Sequence, residues 1–143
     1  MISEIQKIAT ENWDMSNILN TLLLSKKFMG YVFQGYKVNI NYGYDLIKAA
    51  YMIGKLERNL FAIDPSVKFL GRTELRNNVS IGRNSIVDEG VHISNSIILE
   101  GTKIEKGATV TDSVVGPNSK IESLVRRKMI INKIKADLTE SPY

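Results

Sequence analysis

Few side chains in this sequence are suited to acid–base, covalent or metal chemistry. His92 is the only histidine, and imidazole is the side chain that most readily exchanges protons near neutral pH. The chain has no cysteine, which excludes disulfides, thiolate catalysis and metal sites with cysteine ligands. A single histidine also excludes a histidine-rich metal site. His92 is therefore the one candidate general base, and its use depends on the element that holds it.

The element that must position His92 is an internal repeat over residues 63–121. Large apolar residues recur along it, and a second small or apolar residue lies four places after each of them, as Ile97 does after Ile93. Neither an α-helix nor an alternating strand has this period, and short fixed repeats predict a solenoid. The large apolar residues recur at steps of six, with two steps of five, at Ile63, Phe69, Leu75, Ile81, Val87, Ile93, Ile98, Ile104, Val110, Val115 and Ile121.

Each six-residue unit predicts one short strand and one corner, and three units predict one turn of a coil. The leading apolar residue and the residue four places on are expected to face the interior and stack on their equivalents. The two five-residue steps are one coil apart, so the shortened corners should also stack. Tight corners need positive φ, and six units offer Asn or Gly three places after the leading residue, at Asn78, Asn84, Gly90, Gly101, Gly107 and Asn118.

Residues 1–62 are predicted to form a small α/β segment before the coil. Helices are expected at residues 2–9, at 14–24 with Asp14 as N-cap, and from Asp45 to about Arg58, with Asp45 as an N-cap. Between the last two, residues 28–33 and 36–40 read as a hairpin. The third helix is expected to present an apolar side made of Leu46, Ala49, Ala50, Ile53 and Leu56.

Residues 122–143 are predicted to close the coil. The run at 128–134 suggests a terminal strand that caps the exposed end of the solenoid, followed by a loose tail at 139–143. The domain organisation predicted is therefore 1–62, 63–121 and 122–143.

The repeat resembles the hexapeptide-repeat left-handed parallel β-helix. This resemblance implies a mainly β fold of about three coils, preceded by the α/β segment, and it alone supplies the left-handed winding. The alternative, a sandwich or barrel of short strands, would change strand length and turn chemistry irregularly along the chain.

A second resemblance joins the coil to the residues before it. The runs GYKVNI at 35–40 and YDLIKAA at 44–50 are similar to the end of the catalytic domain of sugar-1-phosphate nucleotidylyltransferases, of the glucose-1-phosphate thymidylyltransferase and mannose-1-phosphate guanylyltransferase kind. The coil phrases NSII at 95–98 and DSVVG at 112–116 resemble that family as well. The full enzyme of that family joins a nucleoside triphosphate to a sugar 1-phosphate with Mg²⁺ and releases pyrophosphate.

The departures from the family pattern imply that this chain alone is inactive. Asn39 stands where the family has an aspartate that helps to hold the metal, and an amide oxygen supplies no charge to a hard cation. Asp45 is either a remnant of that metal site or a cap of the third helix. The family's glycine-rich loop is absent, and 62 residues cannot hold the βαβ units of a nucleotide site. No cofactor is expected in this chain.

The resemblance implies that this portion acts in oligomerisation, commonly as a trimer, and in regulation through contact with an N-terminal catalytic domain. Two other functions stay open. The coil also resembles hexapeptide-repeat acyltransferases, in which His92 would be the base beside an acyl-CoA groove; the carboxylates nearest to it in sequence are Asp88 and Glu89. Otherwise His92 is a surface or subunit-contact residue, and the chain is a non-catalytic scaffold.

The charge of the chain argues against nucleic acid and membranes as partners. The net charge of +4 is mild, and the repeat itself carries seven basic and seven acidic residues. The most basic stretch, from Arg126 to Lys135, contains no aromatic residue for base stacking. No apolar run has the length of a membrane span, and the N-terminus lacks the features of a signal peptide. We expect a cytoplasmic protein.

Overall fold

The structure is a computed structural model that describes residues 15–25, 31–32, 34–131 and 134–138. The predicted helix at 2–9, the Asp14 cap, most of the strand at 28–33 and the tail at 139–143 lie outside these residues. The chain forms two compact units, residues 1–36 and 37–143. The first contains helix α1, Met15–Ser25, which agrees with the helix predicted at 14–24. No described helix is long and apolar enough to cross a membrane.

In the second unit, the residues that the structure describes form one helix and a coil of short strands. Helix α2 spans Gly43–Leu56. The strands that follow it are β1 Phe61–Ile63, β2 Lys68–Phe69, β3 Glu74–Ile81, β4 Ile86–Val87, β5 His92–Ile98, β6 Lys103–Ile104, β7 Thr109–Thr111, β8 Val114–Val115, β9 Lys120–Ile121, β10 Val125–Arg126, β11 Lys128–Ile131 and β12 Ile134–Asp137.

The strands stack in parallel as a β-solenoid with three faces. Phe61 pairs with Val79, eighteen positions later, and Ile97 with Val114, seventeen positions later. The helix face consists of β1, the ends of β3 and β5, β8 and β11. The lysine face consists of β2, β4, β6 and β9. The histidine face consists of the starts of β3 and β5, β7 and β10. The mainly β fold is confirmed, and the left-handed winding stays a prediction.

The coil has about four turns and continues beyond Ile121. Strand β10 pairs in parallel with β7, and β11 pairs in parallel with β8, because Val125 and Ile130 extend the same apolar core. The first part of the terminal strand predicted at 128–134 is β11, and it is the last strand of the coil. Strand β12 then returns antiparallel to β11, with Ile134 opposite Ile131.

The interior confirms most of the leading apolar positions and corrects two of the second positions. Ile104 and Val110 are fully buried in the coil core, whereas Phe69 in the first turn is 41% exposed. Ile97 and Val114 were predicted to face inward, but both pack outside the coil with Ile47 of α2. Side chains alternate along a strand, so inward residues stay two apart even where a corner is shortened. The interior positions are taken by Ser96 and Ser113, which are both fully buried.

The corners use the positive φ that was predicted, with one shift of position. Five of the six predicted residues have positive φ; the exception is Asn78. There Asn77 turns the corner with φ 61°, while buried Asn78 donates from Nδ2 to the Ile47 carbonyl at 3.3 Å. The shortened corners do stack, since Asn95 Nδ2 lies 2.7 Å from Asp112 Oδ1 one turn on.

The segment before the coil differs from the prediction in two respects. Residues 36–40 form no strand, and most of the run predicted as their hairpin partner, 28–33, lies outside the described residues. Helix α2 packs on the helix face through Ile47, while Ile53 and Leu56 of its predicted apolar side are 54% and 50% exposed. Gly54 is buried, and the space beside it admits no larger residue, since an added Cβ would lie 2.8 Å from the Asn59 carbonyl oxygen.

The stacked core predicts a large loss of stability on truncation of one interior residue. Ile104 has 0% exposure in the middle of the coil, so Ile104→Ala should lower the free energy of unfolding by about 2–5 kcal/mol through lost burial and a residual cavity. Its neighbour Lys103 faces solvent, and Lys103→Ala should lower it by less than about 1 kcal/mol. Denaturant unfolding measures both variants, and equal effects would contradict this account of the coil.

Candidate functional site

The structure places His92 opposite a carboxylate that the sequence analysis did not identify. His92 begins β5 on the histidine face, with its side chain 54% exposed, and Glu74 is its register partner one turn earlier. His92 Nδ1 lies 2.6 Å from Glu74 Oε2. Glu74 was missed because it lies eighteen positions earlier in the chain. The repeat period was the signal that could have revealed it, since it stacks these two positions.

Glu74 is held in its charged form by two neighbours. The hydrogen bond from Arg76, followed by that from His92, lowers the pKa of Glu74 below its usual range. A carboxylate of this kind can fix the orientation of an imidazole by accepting a hydrogen bond from one of its ring nitrogens. Nε2 of His92 is then the ring atom left to exchange a proton with a bound molecule.

The surroundings of His92 form an open depression on the coil surface. The two carboxylates considered from sequence are occupied elsewhere: Asp88 accepts a hydrogen bond from the Glu89 amide at 2.7 Å, and Glu89 pairs with Lys106 at 2.7 Å. The exposure of His92 means that the described residues do not shield it from water. The depression is lined by Arg72, Thr73, Glu74, Glu89, Gly90, Val91 and His92.

The family resemblance implies Mg²⁺ for the full enzyme and relates Asn39 to a position of its metal site. Asn39 is exposed, and no group of three or more histidine or carboxylate side chains among the described residues could hold a metal ion. The assignment of Asn39 as a remnant of a metal position therefore stays a prediction.

Asp45 stabilises the start of helix α2. Its Oδ2 accepts hydrogen bonds from the amides of Asn41 at 3.0 Å and Tyr42 at 2.9 Å. These two bonds, and to a smaller degree the charge of Lys48, lower the pKa of Asp45. Asp45 was predicted to be the N-cap itself, but the N-cap is Tyr42 and Asp45 is the third helical residue. A carboxylate there reaches back to the cap amide, so capping is its role in this structure.

Comparison with known proteins identifies relatives for most of the chain. Residues 58–133 match the family model of the GMPPB C-terminal domain. The chain is 30% identical over 128 residues to a glucose-1-phosphate adenylyltransferase of Clostridium perfringens (strain 13 / Type A), covering 83% of this chain and 33% of that protein. It is 34% identical over 116 residues to the protein of the same name from strain SM101 / Type A, covering 74% and 30%. The chain thus spans about a third of the length of these curated relatives.

The geometry of Asp45 predicts a contribution to stability that depends on pH. Asp45→Ala leaves two backbone amides without their acceptor, so the thermal midpoint at pH 7 should fall. Because the pKa of Asp45 is lowered in the folded protein, its contribution is fully present above about pH 4 and is lost as the pH falls through that lowered pKa.

Thermal melts between pH 7 and pH 2 test this expectation. The difference in midpoint between the wild type and Asp45→Ala should shrink towards zero in acid. Glu57→Ala removes an exposed carboxylate at the other end of α2 and should not lower the midpoint. A difference for Asp45→Ala that stays constant into acid would show that its charge does not matter.

Proposed function

Because the chain belongs to the family of the GMPPB C-terminal domain, a C-terminal part of sugar-1-phosphate nucleotidyltransferases, we propose that it is a non-catalytic assembly and regulatory module of such an enzyme. Its relatives carry the name glucose-1-phosphate adenylyltransferase. The reaction we assign to the complete enzyme is therefore transfer of a nucleotidyl group to a sugar 1-phosphate with release of pyrophosphate. The catalytic domain that precedes the coil would carry that reaction.

The observation that carries this proposal is that the matched region is the solenoid itself. Residues 58–133 cover nearly all of the coil, and its interior is filled by stacked side chains. An interior of this kind leaves no room for a nucleotide, so the region can contribute through its outer surfaces. Stacked, rigid repeats are well suited to holding other domains at fixed positions.

Partners of two kinds are part of the proposal. Apolar side chains are exposed around the start of the coil, among them Ile53, Leu56, Phe61 and Leu70. Such residues favour contact with another folded body, and the catalytic domain is the body that we assign to them. The second partner is a further copy of the same chain, for which the resemblance implies a trimer. The module would act in the cytoplasm, since a chain without cysteine gains nothing from an oxidising compartment.

A second candidate function rests on the pairing of His92 with Glu74. In an acyltransferase, Nε2 of His92 would take the proton of an acceptor hydroxyl or amine as that group attacks the thioester carbon of an acyl-CoA. The new acyl bond forms, the carbon–sulfur bond breaks, and the proton passes to the departing thiolate. Glu74 would hold the imidazole in position at 2.6 Å. The open, exposed surroundings of His92 make the assembly module the function that we favour.

The assembly proposal predicts that this chain does not synthesise a nucleotide sugar by itself. With a sugar 1-phosphate, nucleoside triphosphates and Mg²⁺, pyrophosphate release should equal that of a reaction without protein. A coupled phosphate assay after pyrophosphatase treatment measures it. Release above background that is lost in Asn39→Ala would contradict the proposal and restore Asn39 as a metal ligand.

The two functions also differ in what acyl-CoA does to His92. Because the chain has one histidine, its imidazole gives one set of ring signals in an NMR spectrum. An assembly module predicts that these signals stay unchanged when acetyl-CoA is added, and that CoA is not released. Shifted signals together with CoA release that is abolished in both His92→Asn and Glu74→Gln would establish the acyltransferase instead.

A further inference from the structure

The three faces of the coil differ in what covers them. The helix face is covered by α2, with Ile47 packed against Val114. The lysine face carries long charged side chains in a chain of ion pairs, in which Glu105 lies 2.9 Å from Lys103 and 3.4 Å from Lys120. Within the second unit, the packing contacts of α2 are with residues of the helix face, such as Ile97 and Val114, and not with the histidine face. The histidine face is therefore the strand surface that α2 and the lysines leave open.

The outward side chains in the centre of the histidine face are His92 and small hydroxyl residues, and charged side chains lie at both ends. Side chains alternate along each strand, so every turn contributes two outward positions. The first column contains Glu74, His92 and Thr109, and the second contains Arg76, Ser94 and Thr111. Hydroxyl side chains lose little rotamer freedom on burial, whereas the lysines of the neighbouring face would lose much more. The histidine face is therefore the outer strand surface on which a second flat surface can pack most readily.

The two columns are complementary to each other. A two-fold axis that lies between two such faces, parallel to the coils, keeps each turn at its level and exchanges the columns. The first column of one copy then faces the second column of the other. Glu74 would face Arg76 of the second copy, and His92 would face Ser94. The first turn thus contributes two opposite-charge contacts, and the next two turns contribute hydroxyl side chains and the imidazole of His92.

We propose that the histidine face binds the same face of a second copy of this chain, with the two coils parallel. This inference rests on the self-association proposed above and names the surface responsible for it. The four charges of the first turn, Glu74 and Arg76 from each copy, would alternate in one network. Within each copy Arg76 already pairs with Glu74, and the network extends that pair across the interface.

The antiparallel alternative brings like charges together. Arg126 continues the second column, since it pairs in register with Thr111. A two-fold axis perpendicular to the coils would keep the columns and reverse the turns, so that Arg76 faced Arg126 of the other copy. Like charges that face each other across an interface oppose association. The charge pattern therefore selects the parallel arrangement, which gives a dimer where the family resemblance implies a trimer.

The size of the face limits the strength of the contact. Four turns spaced about 4.8 Å apart and strands of a few residues give a surface of roughly 20 Å by 10 Å. A stable interface usually buries about 800 Å² on each partner. The contact should therefore be reversible and concentration-dependent, and it would be strengthened wherever another domain already holds two copies together.

Sedimentation velocity over a range of protein concentrations tests the surface. Thr111→Glu places a carboxylate in the centre of the histidine face, beside Arg126 of its own chain. Ile86→Glu is the matched control, because Ile86 is an outward residue of the lysine face that lies between Lys68 and Lys103. Both carboxylates have a cation beside them in the same chain, so both variants should fold, which circular dichroism checks.

The expected result is specific to the face. The wild type and Ile86→Glu should change from monomer to dimer with rising concentration, whereas Thr111→Glu should need at least tenfold more protein. If Thr111→Glu dimerises as the wild type does, the histidine face is not the interface, although self-association stands. If the wild type is monomeric throughout, this inference fails together with the assembly part of the proposed function. A mass of three chains would likewise exclude the two-fold contact.

Cross-linking tests the orientation, since the chain has no native cysteine. Leu124 precedes β10 and is exposed. In the parallel arrangement Leu124 of the two copies lies at the same level, so Leu124→Cys should be joined to itself by a short bis-maleimide. In the antiparallel arrangement the two positions are separated by about three strand spacings, roughly 14 Å along the coil. A dimer of Leu124→Cys that sediments normally but does not cross-link would overturn the parallel orientation.

Discussion

The whole coil depends on one constraint, which is that each turn must place its inward side chains on those of the turn before it. Leading residues such as Ile81, Ile98 and Val115 lie above one another on the helix face because their strands pair in register. Polar residues obey the same constraint: the amide of Ser113 donates to Ser96 Oγ at 3.1 Å, one turn away. No buried side-chain nitrogen or oxygen among the described residues lacks a hydrogen-bond partner. Stacking therefore satisfies apolar and polar interior positions together.

The same stacking converts sequence periodicity into surface chemistry. A register of eighteen residues places Glu74 beside His92, and one of seventeen places Asn95 beside Asp112. Surface pairs of this kind add little stability where solvent screens them. What they provide is a fixed spatial pattern, because the backbone ladder holds each charge at a defined level. A rigid pattern of charges is what one copy of a protein needs in order to recognise another, and this links the fold to the assembly role that we propose.

The sequence was sufficient to predict the coil because its period recurs many times. The sequence was insufficient at positions that do not repeat, where one corner or one strand pairing decides the local structure. Ile97 and Val114 were assigned to the interior by counting four places from the leading residue. After a shortened corner, strand alternation instead turns Ser96 and Ser113 inward, and Ile97 and Val114 face α2. Residues 36–40 have the composition of a strand but no partner strand in the described structure. Glu74 became visible as the partner of His92 only once the register of the turns was known.

Asp45, which the family resemblance relates to the catalytic site, makes local hydrogen bonds that compete with metal binding. Both amides that precede helix α2 donate to Asp45 Oδ2, and Lys48 Nζ lies 3.9 Å from Oδ1. A divalent cation at that carboxylate would have to displace these amides or approach a lysine ammonium. Asn39 offers it no charge in compensation. Helix capping accounts for a carboxylate at this position without any catalytic role, which supports the assignment of this chain to assembly rather than to nucleotidyl transfer.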